Sequence, residues 1–234
     1  MIPLKDDNPR ILVPFFNYGL IICNVAIYLY QMSLPDPETV EGFVKTYGAI
    51  PAHIMQGGQL STLFSAMFLH GGLLHLLSNM LYLWIFGDNV EGLMGHPRYV
   101  VFYLLCGIAA TMSHIAMMPN SPEPMIGASG AISGILGAYV VKFPRARILI
   151  LVPIVIFLTT LRIPALFVLG FWFIYQLTNG LGILYSKAGS HIAWFAHIGG
   201  FVAGLLLVKF FEQPQNLDMF RRRRDDVYKI NDAE

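Results

Sequence analysis

The chain has 234 residues, is 56% hydrophobic and only 12% charged, and carries a formal net charge of +1. Its mean hydropathy is +0.60. Soluble domains carry about a quarter charged residues, so this composition excludes an ordinary soluble domain and points to a membrane protein, and a net charge so near zero gives no footing for nucleic acid.

A helix needs roughly 20 apolar residues to cross the hydrocarbon core. Six stretches meet or approach that length: 14–33, 67–87, 99–118, 127–142, 163–185 and 194–211. Lys5 and Arg10 precede the first, and no small-residue cleavage site follows it, so it reads as a retained anchor. Cys23 and Cys106 lie inside apolar runs, where a thiol packs as a small hydrophobe; neither is expected to form a disulfide or bind metal. Residues 147–161 are apolar too, but Arg145 and Arg147 precede them, Arg162 follows and Pro153 interrupts them, so they read as interfacial or as an extension of a neighbouring span. The fold class expected is all-α, a polytopic six-helix membrane bundle over 14–212. A cytoplasmic segment 1–13 precedes it and a basic cytoplasmic tail 213–234 follows it.

Connections between six spans alternate in side. One set holds Lys5, Arg10, Arg98, Lys142, Arg145, Arg147, Arg162, Lys209, Arg221 to Arg224 and Lys229; the other holds Lys45 and Lys187. The positive-inside rule therefore puts both termini in the cytoplasm, in a bacterial-type plasma membrane. The tail after Phe211 reads as polar and mobile, its arginine run an anchor against anionic lipid. The long outer loop 34–66 mixes prolines and acids with Tyr47, Ile50, Ile54 and Met55, and is expected to lie in the interface.

Polar side chains within spans are costly, and each is a functional hypothesis. His75 and Asn79, four apart, share one face of the second span. Ser129 opens the fourth span between Gly127 and Gly130, and His197 lies early in the sixth. All four fall near the outer ends of their helices. Ser129, Ser133 and Gly137 form one small-residue stripe, and Ala196, Gly200 and Gly204 another; packing the two together would bring Ser129 beside His197. The plainer reading makes these stripes packing and the polar residues interhelical glue. As a set at matched depth they support acyl transfer, with His197 as the base that activates the Ser129 hydroxyl. Donors for an oxyanion would be the Ser129 backbone N–H, Asn79 and His75. With Asp88 and Glu91 at the inner end of the second span, a Ser–His dyad without a carboxylate is expected. The three spans should surround a polar depression roofed by loops 119–126 and 186–193. The fifth span, with Trp172, Phe173 and Tyr175, is the expected side of approach for a substrate helix; its outer half is otherwise polar only at Gln176, Thr178 and Asn179.

The ordered motifs Phe68-Leu69-His70-Gly71-Gly72 with His75-x-x-x-Asn79, Gly127-Ala128-Ser129-Gly130, and Ala196-His197-Ile198-Gly199-Gly200 with Gly204 resemble those of rhomboid intramembrane serine proteases, over about residues 60–212. The resemblance implies Ser129 as nucleophile, His197 as general base, and His75 with Asn79 at the oxyanion. It also implies hydrolysis of peptide bonds in or beside transmembrane segments of other membrane proteins, within the lipid bilayer and without a cofactor or metal. Two positions depart from the family. Ser61-Thr62 stands where members often carry Trp-Arg, and Ser133 where some have an aromatic packed on the catalytic histidine. His70 reads as structural. The competing readings are a catalytically inactive rhomboid-like protein that binds client helices, a transporter, for which no internal repeat is visible, and a metalloprotease, for which no His-Glu-x-x-His is present.

Overall fold

A computed structural model describes residues 2–154, 157–186 and 192–231. Helix α1 (Phe15–Met32) leads through an outer segment holding α2 (Pro37–Tyr47), α3 (Pro51–Met55) and α4 (Thr62–Ser65), the last continuing as a 3₁₀ turn over Ala66–Phe68. There follow α5 (Leu73–Met94), α6 (His96–Met117), α7 (Ser129–Lys142), α8 (Ala165–Ser186), α9 (Trp194–Phe211) and α10 (Pro214–Asn231). Helices α1, α6, α8 and α9 are long and apolar enough to cross a membrane alone; α5 meets the test with α4 as a pair bent by 95°, and α7 has 14 residues. The protein is thus a helical membrane bundle, and the six apolar stretches correspond to α1, α5, α6, α7, α8 and α9.

The glycine stripes set the centre of the bundle. A Cβ at Gly200 would strike the carbonyl oxygen of Gly130, and one at Gly204 that of Gly134. Backbone-to-backbone contact of this kind is what small-xxx-small faces permit, and it seats α9 directly on α7. Helix α6 packs against both of them: Gly134 faces the buried Cys106, and Gly199 faces Ser113. The core runs on through Phe86, Tyr99, Phe102, Tyr103, Ile135 and Tyr139.

The face that carries the described ends of the chain differs from the sequence reading in two ways. Residues 147–161 do not extend a neighbouring span: β2 (Arg147–Ile154) and β3 (Phe157–Pro164) pair antiparallel, and the N-terminal β1 (Ile2–Asp6) adds to β2, giving the order β1-β2-β3. The alternation that makes a strand is present in burial, with Ile148 and Ile150 in the core and Arg147 and Arg162 outside. It is hidden in composition because both faces are apolar.

The tail, in turn, docks. The last carbonyls of α5 lack intrahelical partners, and the tail supplies donors: Gln213 N–H to Leu93 (3.0 Å), Gln213 Nε2 to Met94 (2.9 Å) and Asn216 Nδ2 to Gly92 (2.8 Å). Phe220 is buried against Gly92 and Phe143.

Helix α1 starts after Pro14 with no capping side chain of its own and no acid in its first turn. Glu91 of α5 fills both roles from outside. Its carboxylate accepts from Phe16 N–H (3.1 Å) and Asn17 N–H (2.7 Å), and it also pairs with His96 at the start of α6. Glu91 is fully buried.

Candidate active site

Ser129 is the first residue of α7, and the preceding Ala128 offers no side-chain cap, so no side chain competes for the first-turn N–H groups. Immediately before it, Gly127 adopts φ +120°, which a side-chain-bearing residue rarely takes, and a Cβ there would come 2.7 Å from His75 Nε2. Glycine thus lets the chain pass close under His75 and turn into the helix. Its N–H is anchored on the Ala66 carbonyl at 2.8 Å.

The docking of α9 on α7 places Ser129 Oγ 2.8 Å from His197 Nε2. The other ring nitrogen, Nδ1, lies 2.9 Å from Gln176 Oε1 on α8. The imidazole is also bordered by Trp172 and Trp194, with ring centroids 6.1 and 6.4 Å away. Ser133 does not support it: its hydroxyl donates to the Ser129 carbonyl at 2.6 Å.

His75 and Asn79 stand across from this pair on α5. His75 Nδ1 accepts from Gly71 N–H at 3.3 Å, which leaves Nε2 pointing toward Gly127. Asn79 Nδ2 is 2.9 Å from His70 Nε2, an interaction that uses one of its two N–H donors. His70 is a scaffold residue: its backbone N–H and carbonyl both bond the buried Gln31 amide of α1, at 3.1 and 3.2 Å.

Ser129, His197, His75, Asn79, Gln176 and Trp172 line a cavity of about 620 Å³. Residues Ser121 to Ile126 and Ile192–Ala193 border it, and Val44 of α2, Tyr82 of α5 and His114 of α6 complete the wall. Of the expected roof over 186–193, residues 187–191 lie outside the described residues. The outer segment is fixed to the roof by its backbone: Ala49 and Met125 exchange hydrogen bonds of 3.0 and 2.9 Å, and Ala52 N–H reaches Ser121 at 3.1 Å. At the position of the Trp-Arg pair, the Thr62 hydroxyl bonds its own turn at Gln59.

On α8, Trp172 faces the cavity, Phe173 stacks on Phe201 at 4.6 Å, and Tyr175 is exposed. The sequence reading passed over Gln176, His114 and Tyr82 as site residues. Gln176 and His114 carried the same signal as Asn79, a polar side chain within an apolar span. Among the described residues, no three His, Cys, Asp or Glu side chains are placed to share a metal ion.

Such an arrangement can activate a hydroxyl: an unprotonated Nε2 accepts the Ser129 proton, and uncapped N–H groups with His75 and Asn79 face the space where an oxyanion would form.

Comparison with known proteins agrees with this picture. The Rhomboid domain family matches residues 57–213. Rhomboid protease GluP of Bacillus subtilis (strain 168) is 30% identical over 204 residues, covering 86% of this chain and 36% of that protein. RHOMBOID-like protein 6, mitochondrial, of Arabidopsis thaliana is 30% identical over 164 residues, covering 70% of this chain and 48% of its own length. Presenilin-associated rhomboid-like protein, mitochondrial, of Homo sapiens is 26% identical over 216 residues, covering 91% and 51%. The chain therefore spans between about a third and a half of the length of these relatives, and it belongs to the rhomboid family.

Proposed function

We propose that this protein is an intramembrane serine endopeptidase that hydrolyses peptide bonds in or beside transmembrane segments of other membrane proteins. The observation that carries the reading is the 2.8 Å contact between Ser129 Oγ and His197 Nε2, inside a cavity also lined by His75, Asn79 and Gln176. The Bacillus subtilis relative is named as a rhomboid protease, which points the same way.

In this mechanism His197 Nε2 takes the Ser129 proton as Oγ attacks the scissile carbonyl carbon. The carbonyl oxygen becomes an oxyanion beside the Ser129 backbone N–H, His75 and the second N–H of Asn79. The imidazolium then gives its proton to the leaving amine as the C–N bond breaks, and an acyl ester remains on Ser129. Water, deprotonated by the same imidazole, repeats the sequence and frees the acid. The cavity lets water reach this point among apolar helices, and transmembrane segments of other proteins are the substrates. The asymmetry in lysine and arginine supports a topology with both termini in the cytoplasm, and the membrane of this proposal is a bacterial-type plasma membrane.

The test uses purified protein in detergent with a reporter transmembrane substrate. Ser129→Ala is expected to remain folded while cleavage falls by several orders of magnitude. Equal cleavage by wild type and variant would overturn the assignment. No cleavage by either, with retained binding of the substrate helix, would favour an inactive client-binding protein.

A further inference from the structure

The catalytic histidine of the proposed dyad lacks the support expected from α7, because Ser133 spends its hydroxyl on the Ser129 carbonyl. A neutral imidazole has one N–H and one acceptor nitrogen, and only the tautomer protonated at Nδ1 leaves Nε2 free to accept from Ser129. Something must favour that tautomer. Among the described residues lining the cavity, the titratable side chains other than His197 are His75, Tyr82, His114 and Glu123, on α5, α5, α6 and the roof. None of these four is hydrogen-bonded to Nδ1.

Gln176 does meet Nδ1, and its surroundings set it apart from its neighbours. Two and three residues further along α8, Thr178 and Asn179 satisfy themselves on their own helix by bonding the Tyr175 carbonyl at 3.1 and 2.7 Å; Thr178 is exposed and Asn179 half-buried. Gln176 is 4% exposed, and its amide oxygen reaches across to α9, 2.9 Å from His197 Nδ1. Trp172, one turn earlier on the same face, closes over the ring at 6.1 Å between centroids. A buried amide of this kind is not needed to hold α8, which packs through Phe173 stacked on Phe201.

We infer that Gln176 is the positioning residue of this site: by accepting the Nδ1 proton it fixes the tautomer and the ring plane of His197, making the unit a Ser129–His197–Gln176 relay across three helices. The inference rests on the proposed protease reading. Being neutral, the amide orients the ring without adding charge to the cavity, whereas the carboxylate of serine-protease triads both orients the ring and stabilises the imidazolium.

Three variants and two readouts test it. Gln176→Met keeps the side-chain length and removes the acceptor; kcat on a reporter transmembrane substrate is expected to fall about 10²-fold with KM unchanged, since a wrong tautomer in a triad costs up to ~10⁴. Gln176→Glu restores an acceptor at the same reach and is expected to recover at least a tenth of the wild-type kcat. Gln176→Asn, one methylene shorter, should behave like Met. Independently of turnover, ¹⁵N spectra of ring-labelled histidine should show the His197 proton on Nδ1 in wild type and redistributed to Nε2 in Gln176→Met. This readout works on an inactive protein, so a failure of the protease reading and a failure of the tautomer assignment are told apart. An unchanged tautomer in Gln176→Met would overturn the inference. So would a loss of kcat that is equal in Met and Glu variants and matched by loss of folded protein.

Discussion

The two ends of the bundle use polar residues in opposite ways. At the end carrying the sheet and α10, carboxylates are bonded from several elements and ion pairs tie the elements together. Arg10 forks onto Asp88 at 3.0–3.1 Å, Lys142 pairs with Glu212, and Glu91 bonds two helix N–H groups and His96. At the cavity end the polar side chains around Ser129 are chiefly hydroxyls, imidazoles and amides (Ser78, Ser133 and Tyr82; His75, His114 and His197; Asn79 and Gln176), with Glu123 the one carboxylate in the wall among the described residues. The contrast separates structural polarity from chemical polarity in a membrane bundle. A buried carboxylate whose bonds are filled from several elements holds those elements together. An imidazole or amide with a donor left over is available to a reacting group.

The largest effect that would sharpen this contrast is on stability. Glu91→Ala leaves the first turn of α1 uncapped and His96 without its partner, and removing one member of a buried charged set costs about 3–5 kcal/mol. Thermal or denaturant unfolding in detergent should report a loss of that order, while the cleavage rate per folded molecule stays at the wild-type level. A variant of unchanged stability, or one with lost activity and intact stability, would erase the distinction between the two ends.

The second prediction reverses the signature. Asn79→Ala is expected to lower kcat by about 10²–10³, or about 2.7–4 kcal/mol of transition-state stabilisation, as for loss of one oxyanion donor. Because Asn79 also bonds His70, its melting transition is measured alongside. A fall in stability with undiminished kcat in the folded fraction would make Asn79 a scaffold residue like Gln31.

What the sequence made legible follows the same division. Ser129, His197, His75 and Asn79 stand out because each is polar among apolar neighbours, and the glycine spacing of two helices says which faces can touch. Spacing along one helix, however, does not say which other helix that face meets. Gln176 lies 21 positions before His197 on a different span, so it was visible as an anomaly and not as a partner. The sheet was illegible for a related reason. In Ile148-Leu149-Ile150-Leu151 buried and half-buried positions alternate, yet every residue is apolar, so no period of two appears in composition, and its partner β1 is remote in sequence, Ile2 pairing with Leu151. The docking of α10 depends on Phe220, an aromatic just before the arginine run of a charged helix, whose purpose appears only once the space over Gly92 is known.

The smallest predicted effect concerns Asp6, on the sheet side. Its carboxyl bonds the Tyr139 hydroxyl and accepts from Asn89 Nδ2 at 3.2 Å, and burial is the main cause that pushes its pKa up from 3.8 to about 7; the Tyr139 bond opposes the shift, and the nearby Asp88 and Asp7 charges add to it. The folded protein therefore binds this proton more tightly than the unfolded chain. Its contribution to stability is complete below about pH 4 and is lost as the pH rises through about 7. Asp6→Asn keeps an acceptor for Tyr139 but cannot titrate, so its melting temperature in detergent should decline less than that of wild type between about pH 5 and pH 8. Since Tyr139 belongs to the helix that begins at Ser129, the cleavage rate per folded molecule tests whether the two ends are separable along α7. Equal rates for the two proteins at each pH are expected. A rate that followed Asp6 would mean the sheet end tunes the dyad through that helix, and parallel melting curves would mean that the Asp6 carboxyl is ionised throughout this range.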